Sequence, residues 1–213
     1  MITVISSPRN QIVLQGVRWE TYKALVQDME GQPGKRLTYD SGRLEIMTPL
    51  PIHETYKKLI DRFIEVTTEE MNLEIRSLGS CTWSREDLAQ GLEPDECYYV
   101  EHELAVRGKT EIDLNNDPPP DLAIEIDITS SSLNRLQIYA ALGVSEVWRY
   151  DGKTLIFYRL VEEEYQSQER SEVLPLLSRG DILRFLEQHQ NMGETSLIRS
   201  FREWVREQLA QNK

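Results

Sequence analysis

The sequence predicts a single α/β domain in which helices pack on a mixed β-sheet, and three observations carry that prediction. The stretch "LAIEIDI", Leu122 to Ile128, alternates aliphatic with other side chains at the period of two that defines a strand. The stretch "TYKKLIDRFIEVTTEEM" sets Tyr56, Leu59, Ile60, Phe63 and Thr67 on one helical stripe. Between and beyond these, helical and extended signals alternate along the chain, as layered sheet-and-helix domains require.

From the beginning, "WETYKALVQDM" spaces Trp19, Tyr22, Leu25, Val26 and Met29 as a helix, which "EGQPGK" ends. "RLTYDSGRLEIM" reads as a hairpin turning on Asp40-Ser41-Gly42. The prolines of "TPLPIHE" punctuate the chain before the long helix, whose Lys57, Lys58, Asp61, Arg62 and Glu65 read as a solvated face. "LEIRSLGSCTWSRED" and "EPDECYYV" are extended, separated by "LAQGL". "EHELAVRGKTEIDLNNDPPP" is a polar connection into the strand at Leu122. "SSSLNRLQIYAALG" is a short helix with Leu133, Leu136, Tyr139 and Ala140 inward, stopped at Gly143. "EVWRYDGKTLIFYRL" is a hairpin on Asp151-Gly152, and "GDILRFLEQH" and "TSLIRSFREWVREQL" are closing helices.

With 213 residues, 39% hydrophobic and 28% charged, the chain has the composition of a globular protein with a substantial core. No apolar run approaches the roughly 20 residues of a membrane span, and the first residues lack a signal-peptide pattern. Two cysteines, Cys81 and Cys97, in no metal-binding spacing predict small packing residues and a cytoplasmic setting. The net charge of -12 argues against a broad phosphate-binding surface, because such surfaces are built from Lys and Arg.

Chemistry concentrates in the strand "PPPDLAIEIDI". Leu122, Ile124, Ile126 and Ile128 fill one face, so Asp121, Glu125 and Asp127 share the other. Like charges on one face need a cation or a base beside them. Glu125 and Asp127 stand roughly 7 Å apart at strand rise, close enough to converge on one hard divalent ion. If "EPDECYYV" pairs antiparallel with this strand, Asp95 falls opposite Glu125 to Asp127. Asp121 then lies at the loop end, roughly 13 Å from Glu125, where Pro-Asp is ordinary turn chemistry.

"EPDECYYV", "PPPDLAIEIDITSSSL" and "IYAALGVSEVWRYDG", with "RLEIMTPLPIHE" upstream, resemble the Uma-two family of restriction endonucleases, itself similar to the PD-(D/E)XK nuclease superfamily. The resemblance runs from about Trp19 to Leu160. It implies a restriction-endonuclease-like domain over 1–213, with a core of about 37–160 and a helical part over 180–210. It also implies a divalent metal, Mg2+ or Mn2+, held by Asp95 and Glu125, and DNA as substrate. Homodimers are its default where both strands are cut. One departure stands out. Asp127 occupies the place of the superfamily's Lys, and Arg135 on the following helix is the nearest cation to that role. Arg stabilises a phosphorane-like charge but cannot act as a base, leaving that role to an activated water.

The remaining candidates have plainer roles. His53, beside Glu54 at the start of the long helix, reads as a capping or packing group that the resemblance also sets near the site. His102 and His189 read as surface residues. "TSSS", Thr129 to Ser132, lacks the context of a serine nucleophile and reads as helix capping by Ser130 or Ser131. Trp148, Tyr150, Phe157 and Tyr158 read as core. The predicted function is a metal-dependent endonuclease with Asp95, Glu125, Asp127 and Arg135 in its site. The alternatives are a nuclease fold that binds nucleic acid or a protein without cutting, and a two-carboxylate glycoside hydrolase, for which nothing else speaks.

Overall fold

Where the sequence predicts one mixed sheet, the chain folds into two six-stranded sheets. The computed structural model describes residues 2–6, 10–29, 34–128, 131 and 133–211. Along the chain run β1 (Thr3–Ser6), β2 (Gln11–Gln15), α1 (Trp19–Met29), β3 (Arg36–Asp40), β4 (Arg43–Met47) and α2 (Pro51–Met71). Then come β5 (Arg76–Ser77), β6 (Trp83–Arg85), β7 (Gln90–Leu92), β8 (Glu96–Tyr99), α3 (Glu103–Val106) and β9 (Leu122–Ile126). The last elements are α4 (Arg135–Leu142), β10 (Glu146–Tyr150), β11 (Leu155–Val161), β12 (Glu164–Gln168), α5 (Arg179–Gln188) and α6 (Glu194–Gln211).

The first sheet has the order β1-β2-β4-β3-β7-β6 and is antiparallel throughout. The second runs β12-β11-β10-β9-β8-β5 and is mixed, with β9 and β10 as its parallel pair. Helix α4 lies between those two strands in the chain, as a parallel crossover needs. β9 is central, flanked by β8 and β10, and all five of its residues are buried. Leu122, Ile124 and Ile126 pack with Phe63 of α2, Phe185 of α5 and Phe201 of α6 in the largest core. Ala123 points the other way, into a second core with Tyr99 of β8 and with Ile138 and Tyr139 of α4. Glu125 therefore shares a face with α4.

Several expectations need correction. β1, β2 and β12 escaped the sequence reading, and β7 (Gln90–Leu92) replaces the expected separator "LAQGL". The polar connection holds the short α3. Helix α2 begins at Pro51 rather than after the prolines, since Pro at the first helical position has no N–H to lose. His53 Nδ1 accepts the Leu50 N–H at 3.1 Å and so caps α2. The polar face of α2 is not simply solvated. Asp61 is buried and accepts from the Tyr98 hydroxyl at 2.9 Å and Lys58 at 2.6 Å, while Lys57 pairs with Glu96 at 3.3 Å.

α4 is preceded by Asn134, not Ser131, as its capping residue; Ser130, like Thr129 and Ser132, lies outside the described residues. The same holds for Glu30 to Pro33 of the expected stop to α1. The hairpin of β3 and β4 turns on Ser41 (φ 46°) and Gly42 (φ 92°), both left-handed, which suits a tight two-residue turn. Trp148 and Phe157 stack at 4.2 Å between ring centroids and are fully buried, as core residues should be. His102 is at the surface as expected but has a partner, and His189 is half-buried. His102 Nδ1 bonds to Asp121 at 2.5 Å, and His189 packs edge-on to Tyr56.

Candidate active site

The pairing of β8 with β9 places the acids. Glu96 lies opposite Ile124 in antiparallel register, and the Asp95 N–H donates to the Ile124 carbonyl at 3.1 Å. Asp95 thus stands beside Glu125 at the same level of the sheet. Its Oδ2 accepts the Ile126 N–H at 2.7 Å, which locks the carboxylate against the strand. Both acids are buried, at 4% and 8% exposure, so neither charge is left to bulk water.

Helix α4 supplies the partners. Arg135 and Tyr139 are one helical turn apart on the same face, the i,i+4 spacing that makes neighbours. Arg135 Nη2 donates to Glu125 Oε1 at 2.6 Å, and the Tyr139 hydroxyl donates to the same oxygen. Arg135 also donates to the Thr38 hydroxyl on β3 and, at 2.7 Å, to the Glu93 carbonyl. One guanidinium therefore ties both sheets to the acid on β9.

Burial pushes the Asp95 carboxyl up, opposed by the Ile126 N–H and by the charges of Arg135 and Arg36. Burial pushes Glu125 up to about 7; the Asp95 charge adds to the rise, while Arg135 and Tyr139 work against it. Burial pulls the Arg135 guanidinium down, but Glu125, Tyr139 and Asp95 outweigh it and raise its pKa. These shifts describe two shielded acids that repel each other and share one firmly charged cation.

Asp127 sits one residue past β9, with its N–H still donating to the Tyr150 carbonyl at 2.8 Å. Its carboxylate pairs with Arg149, from Nε at 2.9 Å, and accepts the Ser131 N–H at 3.2 Å. It lines the same small hollow as Glu125, Arg135 and Tyr139, but as an acid already matched with its own cation. Asp121 lies apart. Its Oδ2 accepts the N–H groups of Val100 at 2.7 Å and His102 at 3.0 Å, so it ties off the turn after β8.

Four residues of the site escaped the sequence reading. Glu45 on β4 is buried beside this hollow and accepts from the Ser131 hydroxyl at 2.8 Å and from the Gln11 amide. Arg36 approaches Asp95 from β3, Arg149 holds Asp127, and Tyr139 turns its hydroxyl to Glu125. Only Tyr139 left a signal in the sequence, its spacing of four from Arg135.

A hard divalent cation takes oxygen ligands and keeps several waters, so two carboxylates can hold it. Among the described residues no hydrogen bond reaches Asp95 Oδ1 or Glu125 Oε2. These two oxygens, on neighbouring strands and shielded from water, fit such an ion. A third acid does not join them: among the described residues no three His, Cys, Asp or Glu side chains gather as a metal site.

Residues 19–189 match the family model Uma2, described as "Putative restriction endonuclease". The chain belongs to the Uma2 family. This Uma2 chain is also similar to a solved structure from Anabaena variabilis ATCC 29413, described as "a putative nuclease belonging to DUF820". The TM-score is 0.54 at 16% identity, over 76% of the Uma2 chain and 97% of the other, a likeness of fold. No curated protein matches the Uma2 chain. Among its described residues no helix is long and apolar enough to cross a membrane.

Proposed function

We propose that this chain is an endonuclease that hydrolyses DNA phosphodiester bonds with Mg2+ or Mn2+ held by Asp95 and Glu125. The observation that carries the reading is the shielded pair itself. Two acids sit opposite each other on β8 and β9, each with one oxygen that accepts no hydrogen bond among the described residues, beside a fixed cation. A divalent ion bound there would polarise the phosphate and lower the pKa of an attacking water.

The protein's own groups do the rest. The Ile126 N–H holds Asp95 in place, and Tyr139 and Arg135 fix the rotamer of Glu125. Arg135 offsets negative charge that grows on the phosphate as the new bond forms. It cannot take the proton of the attacking water, because guanidinium stays charged, so that proton passes to solvent. Arg149 neutralises Asp127, which keeps a further negative charge from repelling the substrate. We read the chain as one cytoplasmic domain that cuts duplex DNA as a homodimer.

A second reading has its own support. Arg135 already occupies one oxygen of Glu125 at 2.6 Å, as a cation would, and this favours a relative that binds nucleic acid or a protein without cutting. Incubating the purified chain with single- and double-stranded DNA separates the two. Cleavage with Mg2+ or Mn2+, abolished by chelator and in Glu125→Ala, is expected. Intact DNA under every metal condition overturns the endonuclease.

A further inference from the structure

A cavity of about 750 Å³ opens between the end of α1, the start of β3 and the segment from Arg76 to Trp83. It shares no lining residue with the small hollow over Glu125 and Asp127, and Arg36 on its wall approaches Asp95. Its volume falls within the ~300–1,000 Å³ of ligand clefts. The wall carries three cations, Lys35, Arg36 and Arg76, against one carboxylate, Glu93. In a chain of net charge -12, such a local excess of positive charge runs against the average.

These groups are not equally engaged. Glu93 accepts the Leu37 N–H at 3.1 Å and the Thr82 hydroxyl at 2.9 Å, so its charge is shared. Arg76 donates to the carbonyls of Val106 and Lys109, which fixes its guanidinium on the wall without cancelling its charge. Arg36 differs. It is 9% exposed, and its Nε–H has no hydrogen-bond partner among the described residues. Asp95 Oδ1 is 3.9 Å away, beyond hydrogen-bond reach. A buried donor left unmatched is costly, so an acceptor at this position would be strongly held. A phosphate oxygen is the acceptor that also matches the charge.

Building on the endonuclease reading, we propose that this cavity seats the nucleic-acid strand flanking the bond to be cut. Arg36 takes a phosphate next to the acids, and Lys35 and Arg76 take the backbone beyond it. The strand enters through a cationic channel in an otherwise acidic molecule. Phosphate contacts of this kind fix register along the backbone and leave sequence to other groups.

Cys81 provides the test, because it is exposed on the wall of this cavity whereas Cys97 is buried. The full chain, in chelator so that nothing is cut, is alkylated with iodoacetamide with and without a fluorescein-labelled DNA oligonucleotide. The oligonucleotide is expected to protect Cys81, and Arg36→Gln to lose that protection. Since Arg36 is buried, Lys35→Ala at an exposed position supplies the second variant. It should weaken binding alike for all sequences and reduce the slope of log affinity against log salt by about 1. Binding by anisotropy, or cleavage with Mn2+, while Cys81 alkylates at its free rate overturns the cavity and leaves the endonuclease standing. No anisotropy change at low salt overturns both.

Discussion

Arg135 of α4 and Glu125 of β9 form an ion pair at 2.6 Å, with only 14% and 10% of their side chains exposed. The pair answers what the acidic face of β9 requires. Each acid on that face has its own partner: Asp121 takes backbone N–H groups, Glu125 takes Arg135 and Tyr139, and Asp127 takes Arg149. Of these, Arg135 alone also reaches the other sheet, through Thr38. The same residue is therefore a structural tie and the candidate transition-state cation. Substitutions there must be read with both roles in view.

The aliphatic face of β9 is a purely structural counterpart. Ile124 is fully buried in the core shared with α2, α5 and α6. Ile124→Ala is expected to destabilise the fold by about 2–5 kcal/mol, as for buried aliphatics generally. Denaturant titration measures this, and a loss under about 1 kcal/mol would mean that the face is not packed as described.

This contrast marks what the sequence made legible. The strand at Leu122, the helix at Tyr56 and both hairpins carry periodic or turn signals that burial enforces, and they stand where the periodicity puts them. The antiparallel register that sets Asp95 beside Glu125 followed from matching two strand ends, and it is present. β1, β2 and β12 carried no such signal; β12, "EYQSQ", has Tyr165 as its one apolar contact to the core, and its pairing comes from β11. Partners such as Glu45 and Arg36 come from the first sheet, whose packing against α4 no local pattern encodes. Asp61 and Lys57 looked like a solvated helix face because the sequence does not reveal that Tyr98 and Glu96 lie above them.

The two acids should bind one ion together. Calorimetric titration with Mn2+ is expected to lose its signal in both Glu125→Ala and Asp95→Asn. Asp121→Asn should keep it, since Asp121 belongs to the turn after β8. Loss in Asp121→Asn with retention in Glu125→Ala would move the metal site elsewhere.

Stability should carry a pH signature of Glu125. Its carboxyl is raised from 4.5 to about 7, mainly by burial, so the folded state holds a proton that the unfolded state has released across that interval. With chelator present, the contribution is full below about pH 4.5 and is lost as pH rises toward 7. The loss is on the order of 2–3 kcal/mol. Glu125→Gln cannot titrate and, like the protonated acid, offers Oε1 as an acceptor to Arg135 and Tyr139, so its stability should fall less over the same window. Equal slopes in the two proteins would show that Glu125 is ionised throughout.

Arg135 separates catalysis from scaffolding when charge and shape are changed independently. Arg135→Ala removes the cation and leaves Glu125 buried without its partner, which itself costs about 3–5 kcal/mol of stability. A rate loss in that variant would be ambiguous on its own. Arg135→Lys keeps the charge but cannot span Thr38, Glu93 and Glu125 at once, as the guanidinium does. If Arg135 acts as a transition-state cation, the Lys variant should retain or raise DNA cleavage although its melting temperature falls. The Ala variant, assayed at a temperature where it remains folded, should lose roughly 10²–10³ in rate. Circular dichroism on the same samples sets that temperature. Cleavage that is metal-dependent yet unchanged in folded Arg135→Ala would leave Arg135 as a tie between the sheets and nothing more. Lys57 and Lys58 on α2 would then be the next cations to test, although Lys57 already faces Glu96 and Lys58 faces Asp61.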